Sequence, residues 1–323
     1  MPTKRNPIGT YILFDPIGSV NEVSSDFPIP KRRKHMNSFV MLAGIPGSGK
    51  SYFAEEMGKS GYVVCSSDEI RKRLYRDIND QEHNNEVFRV LHEEIINRLK
   101  NGENVIYDAC NINSKRRRSF MKMISDIDCR KECFIITVPY DIAIERNANR
   151  KRTIPVEVID RMYKNWQTPA TWEGFDNVEV ICDIPGHEYN VADYVNYDQN
   201  NPHHNYTLGI HMVKTAEYVK SKTDDYVLYQ AALRHDSGKP FCEFKDEDGV
   251  SHYYGHAGVG SWDTLSDYSL DNIDCLKVSQ LISYHMMPLT WKDKKSAGKY
   301  KNIWGDEFFK QIVLLSKADR LMS

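Results

Sequence analysis

The chain has little of what marks a secreted, membrane-spanning or generally nucleic-acid-coating protein. No apolar run approaches the ~20 residues needed to cross a bilayer, and the N-terminus carries no signal-peptide hydrophobic stretch. Its seven cysteines are odd in number and include no Cys-x-x-Cys pair, which argues against a disulfide framework and reads as reduced thiols. Cys129 and Cys133 lie closest together, yet no ligand partners stand beside them to build a metal site. Neither sign of charge dominates. A formal net charge of −2 over 323 residues leaves any polyanion to be held by local clusters rather than by an overall field. We therefore expect a cytoplasmic chain with no membrane partner. At 41% hydrophobic and 27% charged residues it is not disordered, and its length suits two domains.

The most informative stretch present is Gly44-Ile45-Pro46-Gly47-Ser48-Gly49-Lys50-Ser51, which follows the apolar run Phe39 to Ala43 and opens a helix through Met57. Gly44, Gly47, Ser48 and Gly49 let successive backbone N–H groups close around phosphate oxygens. Lys50 reaches the β- and γ-phosphates, and the Ser51 hydroxyl ligates Mg²⁺ at the positive end of the helix. This is a nucleoside triphosphate site.

Residues 1–36 carry Pro, Gly and Ser punctuation and end in Lys31-Arg32-Arg33-Lys34-His35. They read as a solvated arm or short hairpin, with phosphate contact as the sharper alternative. From Asn37 apolar runs at Phe39–Ala43, Tyr62–Cys65, Val105–Tyr107, Phe134–Val138 and Val178–Ile181 alternate with helical stretches. That pattern predicts a parallel sheet covered on both faces, an α/β domain over residues 37–184. Ligands of such sheets sit beyond the carboxyl ends of the strands, which singles out Asp68 and Asp108. Either can hold Mg²⁺ or take a proton from a hydroxyl attacking the γ-phosphate, and either can merely cap a helix. Arg146 and Arg150, four apart on one helical face, can close over a triphosphate. Arg116-Arg117-Arg118 begin a helix capped by Ser114. We read them as an exposed basic face, with nucleic-acid backbone contact as the second reading.

Together GIPGSGKS, the SSDEIRKRL segment from Ser66, the YDACNIN segment from Tyr107 and the ERNANR segment from Glu145 resemble the P-loop polynucleotide 5′-hydroxyl kinases of nucleic-acid end repair, over roughly residues 38–182. The resemblance implies that Lys50 and Ser51 hold the phosphates and Mg²⁺ and that Asp68 is the general base. Arg71 then positions the acceptor, and Arg146 and Arg150 are lid arginines, Arg150 with a catalytic part. Cys110 stands where Thr is common in that family.

Residues 185–202 lose helical periodicity and gather Pro, Gly, Asn and Tyr, which predicts a linker. Beyond it, over residues 203–323, strands disappear and four amphipathic helical patterns follow. Each places an ionisable residue where its apolar stripe should continue: His211 after Leu208, His235 after Val227 and Ala231, His285 after Val278, and Asp319 after Phe308, Ile312 and Leu315. An unpaired carboxylate in a core costs several kcal/mol. A cation shared by His211, His235, Asp236 and Asp319 removes that penalty, and the donor types suit a divalent transition metal.

The adjacent His235-Asp236, the segment His235-Asp236-Ser237-Gly238-Lys239-Pro240 and Gly255-His256-Ala257-Gly258-Val259-Gly260 make this all-α half resemble the HD phosphohydrolase superfamily. The resemblance implies His211, His235, Asp236 and Asp319 as metal ligands, His256 and His285 as ligands of a second ion, and Asp236 and Lys239 as catalytic groups. It implies one or two ions such as Mn²⁺, Ni²⁺, Co²⁺ or Fe²⁺. His203 and His204 read as a polar loop, as does His252. The combined expectation is a bifunctional end-healing enzyme. A kinase using ATP or GTP with Mg²⁺ would phosphorylate 5′-OH ends of RNA or DNA, and a phosphohydrolase would remove 2′,3′-cyclic, 2′- or 3′-phosphates. No Lys-x-Asp-Gly motif is present, so sealing is left to a separate ligase. Two alternatives stand beside it. One is a nucleotide or metabolite kinase fused to a nucleotide phosphohydrolase, the other a triphosphate-sensing regulator with a non-catalytic helical module.

Overall fold

The computed structural model describes residues 36–78, 82–150, 152–202 and 204–323. The expected N-terminal arm, apart from Met36, lies outside the described residues, and so does His203. Each apolar run becomes a strand of one parallel sheet: β1 (Ser38–Ala43), β2 (Val63–Ser66), β3 (Val105–Asp108), β4 (Arg130–Thr137) and β5 (Asn177–Cys182). Their order is β2-β3-β1-β4-β5. β1 is central, pairing Phe39 with Val105 on one side and Leu42 with Phe134 on the other, and every residue in it is buried. A strand covered on both faces has no polar side to show, which is why these runs do not alternate. The chain leaves β1 at the point where neighbouring strands are reached in opposite directions, the crevice in which such sheets bind ligands.

Helices α1 (Lys50–Lys59), α2 (Ser67–Tyr75), α3 (Asn84–Lys100), α4 (Ser114–Met123), α5 (Tyr140–Ala148) and α6 (Val156–Lys164) connect and cover the strands. On α3, Val87, Leu91, Ile95 and Leu99 recur every four residues and are all buried. Burying each such side chain stabilises the fold by roughly 1.5–3 kcal/mol. α4 is capped by Asn113, whose side chain accepts from Arg116 N, and not by Ser114 as expected. The arginine run also departs from expectation. Arg117 is buried, donating to both oxygens of buried Glu173 at 2.6 and 2.7 Å and to Asn111 O at 2.7 Å. Successive helical residues point about 100° apart, so three in a row cannot share one exposed face.

The second half is helical: α7 (Leu208–Lys220), α8 (Tyr226–Arg234), α9 (Lys239–Cys242), α10 (His256–Thr264), α11 (Asn272–Tyr284), α12 (Lys294–Trp304) and α13 (Asp306–Leu321). The all-α expectation needs one correction. A two-stranded antiparallel ribbon, β6 (Phe244–Lys245) with β7 (Ser251–His252), joins α9 to α10. Two-residue strands leave no periodicity to read.

Residues 185–202 are packed rather than strung out. Gly186 N donates to Ser266 O at 2.7 Å, the Tyr189 hydroxyl reaches Leu233 O, and Leu208 N at the start of α7 bonds Tyr197 O at 2.9 Å. The two halves also share an apolar core. Trp262 on α10 stacks edge-on against Trp166 at 4.8 Å and donates to Val138 O at 3.0 Å. At Gly258 a β-carbon would fall 2.4 Å from Lys164 O, so the end of α6 and the start of α10 approach too closely for any side chain.

Candidate functional site

The first site lies beyond the carboxyl ends of β1, β2 and β3. Gly47 has φ +87°, and a β-carbon there would meet Ala143 O at 2.1 Å, so the loop can only turn this tightly with glycine. Gly49 precedes α1 without any side-chain cap, which leaves the first N–H groups of the helix to an anion. Lys50 is buried, its Nζ donating to Ile45 O at 2.8 Å. Ser51 Oγ donates to Asp108 Oδ2 at 3.5 Å. Burial raises the Asp108 carboxyl, opposed chiefly by Lys50. A hydroxyl beside a buried carboxylate is an oxygen donor set that fits Mg²⁺.

One cavity of about 980 Å³ joins these groups to Asp68, Arg71, Arg146 and Arg150. Asp68 stands in the first turn of α2, with its backbone N–H capped by Ser66 Oγ at 3.3 Å. Its carboxylate is held by Arg71 at 2.9 Å and Arg152 at 2.5 Å. Arg71 also donates to Asn84 Oδ1 at 2.7 Å. Arg146 lines the cavity while pairing with Asp183 at 2.7 Å.

Sequence reading missed Arg152, which falls two residues past the Arg146/Arg150 pair. It also missed His92, whose Nε2 lies 3.0 Å from the Tyr107 hydroxyl and whose ring lines the cavity. Burial lowers that imidazole to about 4. The signal for His92 was its place in the apolar stripe of α3, between Phe88 and Ile96.

The second site is where the helical half turns inward. His235 and His285 sit one residue past the ends of α8 and α11, His256 opens α10, and His211 and Asp319 project from α7 and α13. Ligand atoms of His211, His235, Asp236 and Asp319 all lie within 4.8 Å of one another, and so do those of Asp236, His256 and His285. Asp236 belongs to both sets. Its Oδ2 is 3.3 Å from both His211 and His235, and its Oδ1 is 3.2 Å from His256 and 3.8 Å from His285.

The ring tautomers follow from the backbone. His211 Nδ1 faces Met322 O at 3.0 Å. His235, His256 and His285 each face the carbonyl three residues earlier, at 2.8, 2.8 and 2.7 Å. A carbonyl only accepts, so each Nδ1 carries a proton and each neutral ring presents a lone pair at Nε2. Yet the Nε2 atoms of His211 and His235 are 3.2 Å apart, and those of His256 and His285 are 3.3 Å apart. Facing lone pairs repel unless a positive centre lies between them. A divalent cation in each set fits these donors and their backbone-oriented rings.

The electrostatics lean the same way. Burial lowers a histidine, but Asp236 and Asp319 overcome it at His235 and lift that ring to about 10, and they raise His211 as well. His285, on the other side of Asp236, is pushed down to about 3 by burial and His256. Against burial, His235 and Lys239 hold Asp236 well below the usual carboxylate range, and His211 and His235 do the same for Asp319. Lys239 is buried, 2.7 Å from Asp236 Oδ2, donating to Gln199 Oε1 at 2.6 Å and lying 3.4 Å from His204 Nε2. Gln199, from the stretch expected to be a linker, gave no signal of this contact. His252 stands apart, paired with Asp246 on the ribbon at 2.8 Å.

Residues 39–169 match the family model AAA_33, described as an AAA domain; this part of the chain is a P-loop kinase domain. Among curated relatives, L-seryl-tRNA(Sec) kinase of Methanococcus maripaludis is 27% identical over 159 residues, 45% of this chain and 58% of its own. A protein of Autographa californica nuclear polyhedrosis virus, carrying the provisional name bifunctional polynucleotide kinase/RNA ligase, is 24% identical over 188 residues. That match takes in 51% of this chain and 26% of the viral one. The chain therefore spans less than two thirds of either relative's length. Among solved structures, a chain of the Pnkp1/Rnl/Hen1 RNA repair complex aligns at 23% identity and TM-score 0.35, over 41% of this chain and 44% of that one. A gluconokinase from Sinorhizobium meliloti aligns at 15% and 0.33, over 46% and 85%. No helix among the described residues is long and apolar enough to cross a membrane.

Proposed function

We propose that the chain is a bifunctional end-healing enzyme, a 5′-OH polynucleotide kinase joined to an HD-type phosphohydrolase, acting in RNA repair beside a separate ligase. The observation that carries the kinase half is the single cavity that holds Lys50, Ser51, Arg146 and Arg150 together with Asp68 and Arg71. Similarity of the P-loop domain to the viral relative supports a polynucleotide acceptor.

In this reading Asp68 accepts the proton of the terminal hydroxyl as its oxygen attacks the γ-phosphorus of ATP or GTP and the bond to the β–γ bridging oxygen breaks. Arg71, 2.9 Å from the Asp68 carboxylate, keeps it aimed. Lys50, Arg146 and Arg150 neutralise charge spreading over the transferred group. Ser51 and Asp108 hold the Mg²⁺. In the helical half, His211, His235, Asp236 and Asp319 hold one divalent transition-metal ion, and Asp236, His256 and His285 a second. Such ions supply Lewis-acid charge at a phosphoryl group. Lys239 faces the same group and offsets its negative charge, and Asp236 ties the two ligand sets together.

The test uses γ-labelled ATP with a 5′-OH oligonucleotide, and in parallel a 2′,3′-cyclic-phosphate RNA after loading with Mn²⁺ or Ni²⁺. Label transfer lost in Asp68→Ala, with phosphate release lost only in Asp236→Ala, is the expected result. A second reading, a kinase for a smaller hydroxyl acceptor, draws on the 27% identity to L-seryl-tRNA(Sec) kinase. Mononucleotides or metabolites competing equally with oligonucleotides would favour it.

A further inference from the structure

The kinase cavity does not end the basic surface around it. On the far side of α4 lies a second hollow, an open groove of about 630 Å³ lined by Lys115, Arg118, Lys122 and Lys131 over a floor that includes Trp172. Ser119 lines both hollows, so α4 is the wall between them. Its residues divide by helical phase. Arg116, Phe120 and Met123 face the cavity, and Lys115, Arg118 and Lys122 face the groove.

The groove's charge is not spent internally. Among the described residues no carboxylate lies within ion-pair distance of Lys115, Arg118 or Lys122. Of the two acids that line it, Glu173 is neutralised by buried Arg117, and Asp176 accepts from the backbone N–H of Lys131 at 2.8 Å. In a chain whose net charge is −2, three unpaired cations on one ridge make a local positive patch whose charge complements a polyanion. Lys115 and Lys122 are seven residues apart, about 10 Å along the helix, far enough to meet different phosphates of one strand. Trp172, half-buried, packs edge-on against Tyr284 at 5.5 Å and so belongs to the floor. Recognition here is of phosphates and is indifferent to sequence.

We infer that this groove carries the body of a single-stranded polynucleotide whose 5′ end enters the cavity, the strand crossing α4 at Ser119. The inference rests on the end-healing reading above. It assigns Lys115, Arg118 and Lys122 to substrate binding several nucleotides from the reacting hydroxyl.

The experiment measures kinase initial rates on a 5′-OH dinucleotide and a 5′-OH 16-mer at several salt concentrations. It compares wild type with Lys115→Ala/Lys122→Ala and the charge-keeping Lys115→Arg/Lys122→Arg. For wild type we expect a lower KM on the 16-mer than on the dinucleotide. The alanine pair raises the 16-mer KM about tenfold and lowers the slope of log KM against log salt by about 1.4, the value for two lost single-strand contacts. Dinucleotide kinetics stay unchanged, and the arginine pair restores wild-type behaviour. A wild-type KM independent of length, or a 16-mer KM unmoved in the alanine pair, overturns the inference, while 5′-OH kinase activity stands. Wild type that labels neither oligonucleotide removes the end-healing reading and this inference with it.

Discussion

Arg152 Nη1 lies 2.5 Å from Asp68 Oδ2, bridging 84 positions of sequence to hold the carboxylate from the side opposite Arg71. A second nitrogen of Arg152 donates to Ile78 O at 2.8 Å, which ties the segment after α5 to the segment after α2. The residue that meets Asp68 is thus neither of the two lid arginines expected from spacing.

Removing that guanidinium leaves Asp68 in place but aimed by Arg71 alone. A hydrogen bond to a charged group contributes about 1.5–3 kcal/mol, and Asp68 is 42% exposed, so solvent screening puts the effect at the low end. Arg152→Ala is expected to lower kcat about tenfold with nucleotide affinity unchanged, read by steady-state kinetics beside equilibrium nucleotide binding. Asp68→Ala should lose about 10²–10⁴-fold. Equal losses in both variants would mean that Arg152 does more than orient the carboxylate.

On the proposed reading, the shared position of Asp236 links the occupancy of the two ligand sets. Each of its oxygens faces a different pair of imidazoles. After loading with Mn²⁺ or Ni²⁺ and desalting, elemental analysis is expected to find two ions per chain in wild type, one in His285→Ala and none in Asp236→Ala. Loading should raise the melting temperature of wild type and leave Asp236→Ala unmoved.

Asp263, on α10 at the seam between the halves, accepts a hydrogen bond from the Tyr163 hydroxyl. Burial lifts its carboxyl to about 7, with the Tyr163 bond opposing. A group that holds its proton more tightly in the folded state contributes stability that is fully present below its unfolded value near 4 and lost as pH rises through about 7. Asn keeps the acceptor and cannot ionise. Urea unfolding from pH 4 to 8 should therefore show wild type losing stability relative to Asp263→Asn, by on the order of several kcal/mol across the window. Parallel profiles would show that water or a rearranged Tyr163 compensates the charge.

The buried Arg117–Glu173 pair, whose arginine borders the first cavity, offers a stability test. Arg117→Met leaves a buried carboxylate alone and is expected to cost about 3–5 kcal/mol in chemical unfolding. Arg117→Met with Glu173→Leu should recover most of that loss, because the apolar pair leaves no unmatched charge.

Much of this was legible in the sequence, and the reasons are local. The five strands and the P-loop could be read because parallel strands covered on both faces are short unbroken apolar runs, and because tight phosphate loops demand glycine at fixed offsets. The convergence of His211, His235, Asp236 and Asp319 was legible because ionisable residues interrupt apolar stripes. Arg117 was not, since its partner Glu173 lies 56 positions away and nothing in three consecutive arginines says which one turns inward. Gln199 escaped notice for a similar reason: a polar stretch without periodicity looks like a tether, and only its bonds to Tyr206 O and Lys239 give it a place. The tautomers of the four imidazoles depend on backbone carbonyls, which side-chain patterns cannot report.

At Gly258 there is no room for even a methyl group between α10 and the end of α6. The imidazole-bearing half and the phosphate-loop half therefore meet there backbone to backbone. On the end-healing reading, a side chain introduced at position 258 would wedge the two halves apart and so disturb both proposed activities at once.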